Sequence, residues 1–108
     1  MPIIICFEGR LATEPELIKT PNTDTSVCEA VVMVNHRKKA GEEWVDADAT
    51  RYEIKAWKRR AEALAARTIG DSIVVIGHVE TTSWETDNGT KRYRDTVVVD
   101  AIGQTLTT

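Results

Sequence analysis

Apolar positions alternate with polar ones in five runs along this chain, and each run predicts a β-strand. The first covers Ile3 to about Leu11 and opens on three consecutive isoleucines; Gly9 interrupts it as a bulge or sharp bend would. The second covers Val27 to Asn35, with Cys28, Ala30, Val32 and Val34 on one apolar face. The third, Thr50 to Trp57, sends Tyr52, Ile54 and Ala56 one way and Arg51, Lys55 and Trp57 the other. The fourth covers Ser72 to about Trp84, and the fifth runs from Lys91 to Ile102 around Val97, Val98 and Val99. Between the third and fourth, Ala61, Leu64, Ala65 and Thr68 recur at i, i+3, i+4 and i+7. That spacing predicts a helix over about Arg59 to Ile69, stopped by Gly70. Glu14-Pro15-Glu16 and Thr20-Pro21-Asn22 punctuate a loop, His36 to Asp48 reads as a polar connection containing Gly41, and Asp87-Asn88-Gly89 marks a tight turn.

The order of these elements is that of an all-β, five-stranded OB-fold, a small Greek-key barrel with one helix between strands three and four. The binding face of such a barrel is the exposed side of strands two and three, flanked by loops. Strand three supplies that side with Arg51, Lys55 and Trp57, and a nucleic-acid strand wants charge for its phosphates and flat rings for its bases. Trp84 either stacks on a base or clasps its hairpin against Tyr93; Trp44, between acids at a hairpin tip, either packs across strands or meets DNA. Tyr52 and Phe7 point to the core or to an interface. Ile3 to Ile5 and Ile73 to Ile76 are apolar on both faces, which predicts a second burial surface and hence subunit packing.

At 108 residues the chain is expected to form one domain over 1–108, and 42% hydrophobic with 29% charged residues fits an ordinary soluble globular protein. The net charge of -3 weighs against a generic polyanion binder, but nine of the 14 basic residues gather as Arg37-Lys38-Lys39, Lys58-Arg59-Arg60, and Lys91, Arg92 and Arg94. A basic groove on an acidic body is the expectation, with Arg51, Lys55, Arg59, Arg37, Lys38, Lys39, Arg92 and Arg94 as backbone contacts. Cys6 and Cys28 sit in apolar runs and read as reduced core thiols. Without a signal peptide or an apolar stretch of membrane length, a cytoplasmic location is expected. His36 and His78 match no metal spacing, the cysteines form no C-x-x-C, and no nucleophile or phosphate-loop motif is present. Neither catalysis nor a cofactor is therefore expected. The acids Glu42, Glu43, Asp46 and Asp48 lack a calcium-loop pattern and read as a solvated turn.

Taken together, these segments resemble the bacterial and phage single-stranded DNA-binding proteins, the SSB family, over about Ile3 to Leu106. Gly9-Arg10-Leu11, Glu14-Pro15-Glu16-Leu17 and Thr20-Pro21 are similar to the family's opening. Gly41-Glu42-Glu43-Trp44-Val45 is similar to a hairpin tip, and Arg51 to Glu62 to the strand-three to helix segment, with Trp57 at an aromatic stacking position. Trp84 through Gly89 to Arg92-Tyr93 resembles a W-x-x-x-x-G-x-x-R-Y hairpin, and Val97 to Gly103 the final strand. The departures are Thr23 and Asp24 where a Gly is usual, basic Arg37 to Lys39 in place of an aromatic, Arg51 at a second ring position, and Glu80 to Ser83 where bases usually precede the tryptophan. The resemblance implies sequence-tolerant single-stranded DNA binding in replication, recombination and repair, and a homotetramer, with a dimer as the runner-up. Family members continue into a disordered tail with an acidic tip that recruits other enzymes. The sequence stops at Thr108, so either it is trimmed or it is a tailless form that does not recruit them. Two other classes fit the residues: a primosome-type or partner-binding OB module, and an RNA-binding OB domain.

Overall fold

The computed structural model describes residues 2–21 and 25–107, apart from the side chains at 38 and 46. The expectations for Asn22, Thr23, Asp24, Thr108 and the side chains of Lys38 and Asp46 lie outside these residues. Six strands and one helix follow in the order β1 (Ile3–Leu11), β2 (Glu16–Lys19), β3 (Ser26–Ala40), β4 (Glu43–Trp57), α1 (Arg59–Ala65), β5 (Ser72–Glu85) and β6 (Lys91–Gln104). The sheet runs β1-β5-β6-β4-β3 and closes where β1 returns to β3, while β2 hangs on the far edge of β3. All pairings are antiparallel except β4 with β6. This closed ring is an OB-fold barrel, with α1 at the β4–β5 crossover.

The barrel interior follows the predicted alternation. Cys28, Ala30, Val32, Ile54, Ala56, Ile73, Val75, Val97 and Val99 are buried from four strands, and Leu11 joins them from β1. Phe7 and Tyr52 pack on this core with their rings stacked at 4.5 Å. Burial pushes the Cys28 thiol up to about 11, with Glu29 and Glu16 adding repulsion, so it stays protonated and unreactive near neutrality. Cys6 departs from the core expectation: it is an exposed free thiol on the outer face of β1. Two glycines mark close approaches. A Cβ on Gly9 would meet Val32 Cγ1 at 2.6 Å and Met33 O at 2.7 Å, where β1 closes onto β3. A Cβ on Gly77 would lie 2.3 Å from the Val98 carbonyl oxygen, beside the register shift between Ile76 and Gly77. Gly9 thus serves closure, in a register with β5 that runs on without a shift, and the bulge falls at Gly77 instead.

Four boundaries differ from the sequence reading. Glu16–Lys19, read as loop, is a short edge strand paired with Ser26–Glu29. All four of its residues are exposed, so no buried period betrays it. The connection from His36 to Asp48 is an extension of β3 and β4 into a long hairpin. Its ladder rests on backbone hydrogen bonds, with no apolar face for a pattern to reveal. The helix ends at Ala65 rather than Ile69, because carboxylates claim the next amides: Thr68 N–H donates to Asp71 and Ile69 N–H to Glu14. Finally, β5 and β6 reach Glu85 and Gln104, slightly beyond the predicted ends. Among the described residues no helix is long and apolar enough to cross a membrane.

Candidate nucleic-acid interface

The outward series of β4 is Arg51, Glu53, Lys55 and Trp57, set against Met33, Val31, Glu29 and Val27 of β3. Because β4 and β6 run parallel, with Ile54 beside Val97 and Lys55 beside Val98, the same surface continues onto Thr96 and Arg94. Cross-strand pairing of β6 with β5 then brings in Thr82, opposite Arg94, and Trp84, opposite Arg92. A groove of about 410 Å³ lies along this surface, lined by Thr13, Glu14, Glu16, Glu29, Val31, Glu53, Lys55, Thr82, Arg94 and Thr96 among others.

Trp57 and Trp84 are 37% and 46% exposed, which leaves ring surface open to a ligand in each case. Each has a cation beside it: Lys55 Nζ lies 5.6 Å from the Trp57 ring centroid, and the Arg94 guanidinium 5.8 Å from that of Trp84. Trp84 does not clasp Tyr93. Tyr93 faces Ser83, on the opposite side of the hairpin, and carries Lys91 over its ring at 5.7 Å.

Trp57 is held firmly at its C-terminal side. Lys58 adopts φ 58° and ψ -125°, the one non-glycine with positive φ among the described residues. It turns the chain from β4 into α1, its N–H donating to the Ser26 carbonyl at 2.8 Å and its carbonyl accepting from Ala61 and Glu62. A side chain in this backbone region costs on the order of 1–3 kcal/mol. The hydrogen bonds on both sides hold the turn, and they fix the direction in which Trp57 leaves the strand.

The expected basic groove is a mixed one. Glu53 lies on the same face by the same alternation, so the strand is not purely cationic. It accepts from Arg51 at 3.2 Å and lies 3.5 Å from Arg94 Nε, linking β4 to β6. Glu29 lies 3.7 Å from Lys55 Nζ. Glu16 and Glu29 are direct cross-strand partners, a repulsive juxtaposition that Lys55 offsets. The alternation signal for Glu53 was in the sequence; the carboxylates of β2 and β3 entered only with strand pairing.

The remaining candidates are placed along the margins. Between Val34 and His36 the register shifts so that β4 carries one extra residue. Beyond that bulge Trp44 pairs with Lys39 and joins the side-chain series of Arg51 to Trp57, where an unbroken period of two would have sent it to the opposite face. Arg37, Lys39 and Trp44 therefore extend the groove face outward along the hairpin arm, with Trp44 64% exposed. Arg92 shares the face of Trp84, and Arg59 is exposed at the start of α1. Arg60 is turned elsewhere, its Nε donating to the Asp100 carbonyl at 2.6 Å.

The closed barrel, its helix at the crossover and an open aromatic and charged face over three strands define an OB-fold protein. A model of the "Single-strand binding protein family" matches residues 3–105, and the chain belongs to that family. It is 34% identical over 96 residues to a "Single-stranded DNA-binding protein 2" of Clostridium acetobutylicum, covering 87% of this chain and 69% of that one. It is 42% identical over 83 residues to a protein of the same description from Streptococcus agalactiae, covering 76% of this chain and 61% of that one. Against the "Single-stranded DNA-binding protein" of Thermus thermophilus it is 34% identical over 90 residues, covering 82% of this chain and 32% of that one. The chain thus spans from about a third to two thirds of the length of these curated relatives. The crystal structure of a small single-stranded DNA-binding protein from Streptomyces coelicolor shares the fold with a TM-score of 0.83 at 23% identity, covering 98% of this chain and 96% of that one.

Proposed function

We propose that this chain binds single-stranded DNA without sequence preference and protects it during replication, recombination and repair, with no chemistry of its own. One observation carries the reading: Trp57 and Trp84, on separate strands, belong to the same outward side-chain series as the groove's Lys55 and Arg94, each with that cation beside its ring. Bases stack on the tryptophans, while Lys55, Arg51 and Arg94 meet phosphates. Arg92, Arg59, Arg37, Lys39 and Trp44 extend the path beyond the groove. The names of the relatives support the ligand, and residues 1–108 act as one binding module. Titration of the intrinsic tryptophan fluorescence with oligothymidine tests this; the signal quenches at low salt and recovers as salt is raised, and an absence of quenching at low salt sinks the reading. The protein works in the cytoplasm with the nucleoid, where its free thiols stay reduced.

Assembly belongs to the same reading. The outer side of β1 and β5 presents Ile4 and Ile76, 65% and 43% exposed, with Cys6 between them in the cross-strand ladder. β1 pairs with β3 only at Arg10 and Leu11, so Ile3 to Gly9 keep one unpaired edge. An open edge beside an apolar face is an association surface. We infer a homotetramer, which puts several barrels on one strand and raises avidity through effective concentration. Multi-angle light scattering at micromolar protein gives four times the chain mass; a monomer there overturns it.

His78 adds a pH dependence on that face. Its Nδ1 lies 3.0 Å from Asp100 and its Nε2 3.1 Å from Glu80. The hydrogen bond to Asp100, then that to Glu80, hold its pKa above the ordinary 6.5. The folded protein therefore binds this proton more tightly than the unfolded chain. The resulting stability is complete below 6.5 and is lost as pH rises through the higher folded value. Thermal midpoints measured from mildly acid to mildly alkaline buffer fall for the wild type, and the H78Q profile is flatter over that window. Parallel profiles would contradict the assignment.

A further inference from the structure

The geometry points to Glu29 and Glu53 as built-in counter-anions that set the affinity and ligand selectivity of the groove. This rests on the strand-binding reading of the same face. Each tryptophan platform has one adjacent cation, and each of those cations is shared with a carboxylate: Lys55 with Glu29 at 3.7 Å, Arg94 with Glu53 at 3.5 Å. Glu53 also takes Arg51 at 3.2 Å. Glu14 and Glu16 line the same groove, so four carboxylates face two cations there.

An unpaired Lys or Arg that meets a phosphate releases a mobile counterion into solution, which makes binding favourable at low salt. A paired one must first give up its carboxylate. That carboxylate cannot diffuse away, because it is fixed to the neighbouring strand, and it stays in the groove to repel the incoming phosphate. Phosphate contacts are weakened in this way, whereas stacking on Trp57 and Trp84 is not. A ligand must then offer bases as well as charge. The groove discriminates against polyanions without accessible bases, of which heparin is a convenient probe and duplex DNA a natural instance. The net charge of -3 is consistent with a protein that excludes such competitors.

The test compares wild type, E53Q, E29Q and E62Q, the last removing a carboxylate on α1 outside the groove lining. Oligothymidine and heparin affinities are measured by fluorescence anisotropy and competition over a salt series. E53Q and E29Q are expected to bind oligothymidine about two- to fivefold more tightly at low salt, the range of exposed charge pairs. Their salt slopes steepen by about 0.7 for each additional phosphate engaged. Their gain for heparin is larger than for oligothymidine, because heparin draws on charge alone, and E62Q behaves as wild type. Weaker binding by E53Q, unchanged affinity and slope in both groove variants, or an equal gain in E62Q overturns the inference. Wild-type binding with no effect of either groove variant removes only this inference; failure of the wild type to bind oligothymidine removes the strand-binding reading with it.

Discussion

Trp57→Ala combined with Trp84→Ala is expected to weaken oligothymidine binding by about 2–6 kcal/mol per subunit, since each stacked base contributes roughly 1–3 kcal/mol. Each single variant loses about half of this. The two rings sit on β4 and β5, Trp57 opposite Val27 and Trp84 opposite Arg92, so the losses are expected to add. Because the variants remove two of the three tryptophans, anisotropy of a labelled oligonucleotide replaces intrinsic fluorescence as the readout. The salt slope stays near that of the wild type, as no cation is removed. Loss should be alike for all base sequences. Substitution by phenylalanine, which keeps a π-face, restores part of the affinity. Alanine variants that bind as tightly as the wild type would show that these rings are not the stacking platforms.

Leu64→Ala is expected to cost about 2–5 kcal/mol of folding stability. The helix buries only Ala61 and Leu64, and Leu64 is wholly buried where α1 lies against β2, β3, β4 and β6. Seven residues are too few for a stable helix on their own, so α1 depends on that side chain to stay docked. For a small domain with total stability of about 5–15 kcal/mol, the loss is a large fraction. Urea denaturation would register it as a lower midpoint with little change in slope. A drop below about 1 kcal/mol would mean that the barrel end is sealed without the helix. Leu64→Met, close in volume, is tolerated. Binding suffers along with stability, because Trp57 is separated from α1 only by Lys58, whose carbonyl caps the first turn.

These expectations draw on features of different legibility. That Tyr52, Ile54 and Ala56 face inward and Trp57 outward could be read directly, because a strand with one buried face writes a period of two into its sequence. The same period puts Glu53 on the outward face, which makes that face less basic than Arg51 and Lys55 alone imply. By contrast, β2 and the hairpin arm from His36 to Asp48 bury little, so nothing in their composition separates strand from loop. The early end of α1 depended on Asp71 and Glu14 capturing the amides of Thr68 and Ile69, and the second of those comes from the other end of the chain.

The pattern of apolar residues settled the number of long strands, their order around one helix and most of the core, because burial imposes a local repeat on each of them. Cross-strand register and barrel closure settled the rest. They brought Trp84 and Arg94 beside the β4 face, flipped Trp44 onto it through a bulge, and set Glu29 against Lys55 and Glu53 against Arg94. Such pairings join residues distant in sequence. They follow from which strands lie side by side and at what offset, and no local repeat records that.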